Sequence, residues 1–239
     1  MYVLLAVYLF LRERKPLVLG CCAAVGLCLA LILSWTEYRI GEVHLTALDV
    51  GQGQCLILHH EGKTFLIDCG GSNEETAANA AVETLLSRGV TRLDGIILSH
   101  GDKDHAGGLP YLLSRMDTGF LIMPSNTDPE TVSELTENLS GTLILADRDY
   151  EIPFDRAGLT VFGPTFAEDN NENSLCVLFE GENCAILVTG DRGRLGEMLL
   201  MHDAALPDVD LLIAGHHGSK NSTSQELLDT VQPETVFIS

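Results

Sequence analysis

Positive charge is scarce in this chain: 14 lysines and arginines stand against 34 aspartates and glutamates, a net charge of −20 at neutral pH. Three of the cations, Arg12, Arg14 and Lys15, sit together near the start, and no such cluster follows Trp35. A surface that coats nucleic acid works by displacing counterions with grouped lysine and arginine. That class is excluded, and any phosphate has to be held locally, as bound divalent cations would hold it. The same acidity keeps an extracytoplasmic surface soluble. The seven cysteines lack the C-x-x-C spacing of a zinc site. Cys55, Cys69, Cys176 and Cys184 lie in or beside strand-like runs and read as small buried residues, with a disulfide between neighbouring strands left open outside the cytoplasm. No G-x-G-x-x-G phosphate cradle, internal repeat or low-complexity segment is present.

The first 35 residues differ from the rest. Residues 1–11 are apolar but short, residues 12–15 read Arg-Glu-Arg-Lys, and residues 17–35 carry no charge and are about long enough to cross a bilayer. The expected organisation is a membrane segment over residues 1–35, made of a clipped span, a basic loop and one full transmembrane helix. A single domain follows over residues 36–239, long enough to bury a sizeable core. A cleaved signal peptide is the rival reading, but no basic residue precedes the first apolar stretch, and the second is long for a signal core. By the positive-inside rule the basic loop is cytoplasmic. The expected location is therefore the cell membrane, with the domain on its extracytoplasmic side.

Beyond Trp35 short strands alternate with helices. Strands are expected over residues 43–50, 54–59, 64–68, 93–98, 120–123, 143–145, 159–162, 175–180, 184–188, 209–214 and 235–238. Helices are expected over residues 75–88, 109–116, 129–139, 195–202 and 224–231; in the first, Ala78, Ala81, Val82 and Leu85 recur at helical spacing and Gly89 supplies a stop. The class is mixed α/β.

The run SHGDKDHAGG, residues 99–108, places His100, Asp102, Asp104 and His105 directly after an apolar strand. Imidazole nitrogens and carboxylate oxygens suit zinc, manganese or iron. The bland reading is a polar turn capping the next helix, and two later segments weigh against it. Thr189-Gly190-Asp191 follows the apolar run 184–188, and Gly215-His216-His217-Gly218-Ser219 follows residues 209–214. Three strand ends thus deliver ligand-type residues to one rim, where layered α/β folds build sites from loops. His44, His59, His60 and His202 are not at ligand spacing and read as surface or packed residues.

With LDVGQG at residues 48–53 and LIDCGG at residues 66–71, these motifs resemble the metallo-β-lactamase fold. More narrowly, they resemble the carboxy-terminal domain of the ComEC family, polytopic membrane proteins that internalise DNA in bacterial competence. The resemblance covers about residues 43–239 and implies a four-layer αββα sandwich. It also implies two divalent metal ions, manganese or zinc; the carboxylate of Asp102, where relatives commonly have histidine, favours manganese. His100 and Asp102 are the expected ligands of one metal, and Asp104 and His105 of the other. Asp191 is expected to bridge them, and the HHGS segment to supply the last ligand, with His216 preferred to His217 as nearer the strand end. Asp104 and Asp191 are the expected catalytic residues. Asp68 matches the family's strand-end aspartate and is expected to orient the loop. Ser219 and Lys220 could hold a substrate phosphate, although a solvated turn explains them nearly as well.

Two departures from the family pattern stand out. The stretch around Asn173, residues 170–174, has no histidine where many relatives provide one, which leaves the first metal loosely held. Gln54 stands where ComEC-like sequences usually carry an acid, with the expected loss of a supporting contact. Relatives also continue past the strand at which this chain ends, so the domain is expected to be truncated at its C-terminus. The implied activity is metal-assisted hydrolysis of a DNA phosphodiester, single-stranded, during uptake. The implied partners are the membrane, the channel portion of a parent protein and other competence proteins. Two other functions stay open. An extracytoplasmic hydrolase of another ester or phosphodiester would ignore DNA, and a non-catalytic DNA-guiding module would bind DNA without shortening it.

Overall fold

Alternation along the strands decides the layering, because successive side chains of a strand point to opposite faces. In β2 (Leu56–His60), Leu56 and Leu58 enter one hydrophobic core and Ile57 another. In β3 (Lys63–Ile67), Phe65 and Ile67 likewise oppose Leu66. These strands join β1 (Val43–Ala47), β5 (Gly95–Ile97), β7 (Phe120–Pro124) and β8 (Thr142–Ala146) in a six-stranded sheet, ordered β1-β2-β3-β5-β7-β8. It is antiparallel across β1-β2-β3 and parallel beyond. A second six-stranded sheet combines β9 (Tyr150–Pro153), β10 (Gly158–Phe162), β11 (Cys176–Glu180), β12 (Ala185–Val188), β13 (Leu211–Ile213) and β14 (Thr235–Phe237) in the order β14-β13-β12-β11-β10-β9. Its β12-β13-β14 portion is parallel. Two-residue strands β4 (Arg92–Leu93) and β6 (Asp117–Thr118) pair separately.

The computed structural model describes residues 3–5, 8, 16–39, 42–167 and 169–239, without side chains at 16–19 and 34–39. Two compact units divide it, residues 1–42 and 43–239. In the first, helix α1 (Pro16–Arg39) exposes every side chain described, residues 20–33. Residues 17–35, expected as a transmembrane helix, fall within α1, while most of the clipped span and all of the basic loop lie outside the described residues. Among the described residues no helix is long and apolar enough to cross a membrane.

Three cores stack in the second unit. Between the sheets, Leu58, Phe65, Ile97 and Ile122 meet Val161, Val177, Phe179 and Ile213. On the outer face of the first sheet, Ile57, Leu66, Ile96 and Leu121 pack against Ala78, Ala81 and Leu85 of α2 (Glu74–Ser87) and Leu109 and Leu112 of a short helix, Leu109–Leu113. On the outer face of the second, Leu178, Leu187 and Leu212 receive Leu200 of the helix Arg194–Asp203 and Leu227 and Val231 of the helix Gln225–Val231. Helix, sheet, sheet and helix make four layers, and α2 starts on a proper cap, Asn73 accepting from the Thr76 N–H at 2.9 Å.

The sequence-expected strand over 93–98 is interrupted into β4 and β5, and β9 was not expected. The SHGDKDHAGG run is not all loop, since Lys103–Ala106 forms one short helix, α3, that carries Asp104 and His105. A glycine of the LIDCGG segment lets the chain pack closely here. A Cβ at Gly70 would collide with the backbone of Asp104 and His105, so α3 can lie directly on this segment only because side chains are missing there. Backbone bonds seal the contact, from Gln54 N–H to Asp104 O at 2.9 Å and from Cys69 N–H to His105 O at 2.7 Å. The described cysteines are all free thiols.

Candidate metal centre

The site begins with a break in strand register. β2 and β3 pair Leu56 with Ile67, yet Gly70 N–H bonds to Gln54 O, which leaves one extra residue on the β3 side. Asp68, with φ of 60°, absorbs it. Its buried carboxylate turns toward β5, where Oδ1 accepts from Ser99 N–H at 2.6 Å. Oδ2 accepts from Ser99 Oγ at 2.7 Å, Gln54 Nε2 at 2.8 Å and His105 Nδ1 at 2.7 Å. Four donors fill the acceptor sites of one ionised carboxylate. Asp68 therefore orients rather than ligates, and with Nδ1 of His105 engaged, the Nε2 of that ring faces the rim. Gln54 does not lose the supporting contact expected to be missing; its amide makes that contact itself.

The second sheet supplies the other side. After β12, Gly190 takes φ of 56° and Asp191 is buried, its N–H donating to Ser174 Oγ at 3.2 Å. After β13, His216 and His217 both take left-handed backbone conformations, φ 49° and 52°. Such residues are uncommon outside glycine and cost on the order of 1 kcal/mol each. The sharp reversal aims both rings at Asp191. His216 Nε2 lies 3.7 Å from Asp191 Oδ2, and His217 Nε2 lies 4.0 Å from Oδ1 and 3.4 Å from Asp104 Oδ2. His105 Nε2 sits 3.0 Å from Asp191 Oδ1 and 3.2 Å from His217 Nε2. His100 Nε2 is 3.7 Å from Asp102 Oδ2 and 3.9 Å from Asp191 Oδ2.

Two donor groups result, each with its atoms within 4.8 Å of one another: Asp104, His105, Asp191 and His217; and His100, Asp102 and Asp104. Asp104 belongs to both. The four-residue group takes His217, not the preferred His216, whose side chain stays 42% exposed beside Asp191. Two buried atoms in the centre, His100 Nε2 and Asp191 Oδ1, lack an aligned hydrogen-bond partner. Buried polar atoms left this way are rare in finished interiors, and nitrogen and oxygen donors of this kind suit a divalent cation. The residues fit the metal that the motifs imply.

Electrostatics agree. Burial alone would depress His105, but the carboxylates of Asp68 and Asp191 outweigh it and push the imidazole up to about 10. Burial and the neighbouring His105 lower His100. Burial opposes ionisation of Asp191, and the imidazoles of His105, His100 and His216 overcome it, holding the carboxyl below its usual range.

The remaining expected residues fall elsewhere. Asn173 is buried with its amide spent on its own loop: Oδ1 accepts from Ala167 N–H at 2.8 Å, and Nδ2 donates to Ala167 O at 2.7 Å. It offers no free ligand atom. Lys220 is exposed and Ser219 half-buried in the turn after His217. Arg192, which sequence reasoning missed, is buried next to Asp191 and its Nε donates to Ser174 O at 2.7 Å, locking the two loops together. Its position directly after TGD was the available signal. A small cavity of 130 Å³ opens beside His100 and Asp102, lined also by Asn126, Thr127, Thr131 and Asn170.

A profile of the metallo-beta-lactamase superfamily matches residues 48–239. The chain belongs to that superfamily. Within it, the chain is similar to Recombination protein 2 of Haemophilus influenzae, 31% identical over 233 residues, covering 96% of this chain and 28% of the relative. ComE operon protein 3 of Bacillus subtilis is 28% identical over 221 residues, 83% of this chain and 28% of the relative. Competence protein ComA of Neisseria gonorrhoeae is 28% identical over 239 residues, 91% of this chain and 32% of the relative. The resemblance to competence proteins therefore holds over most of this chain, which spans about three tenths of the length of these curated relatives. Among solved structures, the human short-form tRNase Z superposes with a TM-score of 0.52 at 18% identity, covering 80% of this chain and 90% of that one. The diiron β-hydroxylase CmlA of Streptomyces venezuelae gives 0.52 at 15% identity, with 82% and 44% covered. These two likenesses concern the fold.

Proposed function

We propose that this chain is the hydrolase portion of a ComEC-like DNA-uptake protein and that it cleaves DNA phosphodiester bonds, on single strands, at this rim. The observation that carries the reading is the convergence of His100, Asp102, Asp104, His105, Asp191 and His217 from both sheets on one rim, with His216 beside Asp191 and the buried Nε2 of His100 without a hydrogen-bond partner. The competence-protein relatives supply the setting. Two divalent cations, manganese or zinc, would be held by His100, Asp102 and Asp104 on one side and Asp104, His105, Asp191 and His217 on the other. When bound they supply Lewis acidity for hydrolysis. Asp191, reached by imidazoles from both sides, would hold the pair in register, while Asp68 fixes His105. His216, at the solvent edge, is placed to meet substrate. We further place the domain outside the cytoplasmic membrane, next to a channel portion and other competence proteins, on the strength of the uncharged residues 17–35 following a basic loop.

The test is cleavage of end-labelled single-stranded DNA by the full chain with added manganese, beside Asp191→Ala and a chelator control. Cleavage lost in both controls supports the reading. A folded, metal-loaded chain that leaves DNA intact defeats it. One observation favours a smaller ester or phosphodiester instead: the cavity beside His100 is lined by two carboxylates, Asp102 and Asp128, and by uncharged polar residues, with no Lys or Arg among the described ones. A panel of small esters run with the DNA separates the two.

A further inference from the structure

Ser99 lies at the end of β5 between two histidines and an aspartate, and its one hydroxyl proton has three neighbours. Asp68 Oδ2 is at 2.7 Å, His100 Nδ1 at 3.1 Å and His105 Nδ1 at 3.2 Å. We propose that Ser99 is a positioning residue whose hydroxyl carries the orienting effect of Asp68 on to His100, so that one buried carboxylate sets the tautomers of both motif histidines.

The assignment follows from counting protons. Two oxygens at 2.7 Å need a proton between them, and the ionised carboxylate has none to give, so Ser99 donates to Asp68. His105 Nδ1 has its own bond to the same Oδ2 at 2.7 Å, shorter than its approach to Ser99. The lone pairs of Ser99 Oγ are then left for His100, whose Nδ1–H donates to them. That places the proton of the neutral His100 ring on Nδ1 and a lone pair on Nε2. The opposite tautomer would put N–H on a buried Nε2 whose nearest carboxylate oxygens, at 3.7 and 3.9 Å, lie beyond hydrogen-bond reach. It would also leave either the Asp68–Ser99 contact or the Ser99–His100 contact without a proton between its two atoms, since Ser99 has only one to give. In the neutral form of both rings the Nε2 lone pairs therefore point into the donor cluster, one set directly by Asp68 and one through Ser99. Gln54 Nε2 donates to the same oxygen at 2.8 Å and completes the carboxylate's set of donors.

The consequence for metal binding rests on the metal reading above; the tautomer does not. The experiment reads both. Long-range proton–nitrogen correlation spectra of the metal-free full chain should show His100 protonated on Nδ1. Zinc titrated calorimetrically should bind Ser99→Ala with one affinity weakened by about 10–100-fold, the usual effect of removing a support behind a ligand. The other affinity, carried by the direct Asp68–His105 bond, should change little. Ser99→Thr, which keeps the hydroxyl, should restore both the tautomer and the affinity. A wild-type His100 protonated on Nε2 overturns the proposal, as does an Ala variant with unchanged zinc binding or a folded Thr variant as weak as the Ala one. A wild type that binds no zinc defeats the metal reading and leaves the tautomer measurement to decide the relay on its own.

Discussion

Replacing Asp68 by asparagine changes almost no volume and should nonetheless be among the most damaging substitutions in the chain. The carboxylate is fully buried and takes four donors, three on Oδ2. An amide has one oxygen and brings two hydrogens of its own. Turned with its oxygen toward Gln54, Ser99 Oγ and His105, it keeps those three bonds but sets its NH2 group against the buried Ser99 N–H. Turned the other way, it sets the NH2 group against Gln54 Nε2, so in either orientation two donors face one another without acceptors. Two buried groups stranded at about 1–3 kcal/mol each give an expected loss of about 2–6 kcal/mol, a large part of the 5–15 kcal/mol that holds a typical domain. Urea unfolding of the metal-free chain measures it. A loss below about 1 kcal/mol for Asp68→Asn would refute the account of Asp68 as an acceptor that no amide can replace.

Gly70→Ala should lower stability by about 1–3 kcal/mol, the usual cost of forcing atoms into a filled space, and weaken zinc binding as well, because the backbone of Asp104 and His105 is what must move; a variant that unfolds and binds zinc like the wild type would show that α3 does not rest there. The raised pKa of His105, about 10 against an ordinary 6.5, sets a pH dependence. In the metal-free chain its charged form contributes stability that is fully present below about pH 6.5 and is lost as pH rises through about 10. At pH 8 a metal must displace that proton, so calorimetry in two buffers of different ionisation enthalpy should report proton release on zinc binding, and apparent affinity should climb with pH; equal heats in both buffers would contradict it.

The strands and helices of the two sheets were legible because most of them carry a clear period, as β2 and α2 do. β9 was not: Tyr-Glu-Ile-Pro offers two inward residues on an edge strand, ends in proline and looks like loop. The donor residues were legible from their grouping after strands. Which of two adjacent histidines reaches the cluster was not, because distance along the chain is a poor guide where two left-handed residues fold the backbone back on itself. Asn173 and Gln54 show the same limit from opposite sides. A side chain's type says what it can bond; only the fold says that Asn173 is committed to Ala167 and that Gln54 reaches Asp68.

The donors ride on separate layers: His100, Asp102, Asp104 and His105 extend from the first sheet, and Asp191, His216 and His217 from the second. Apart from the packed interior between them, the layers are stitched at this rim by few bonds, such as Leu175 N–H to Ser99 O at 2.8 Å. An ion held there would act as a rivet through the sandwich. Its binding energy would count toward holding the sheets together, a chelator would act as a mild denaturant, and any substitution that lets the sheets slide would surface first as a weakened grip on the ion.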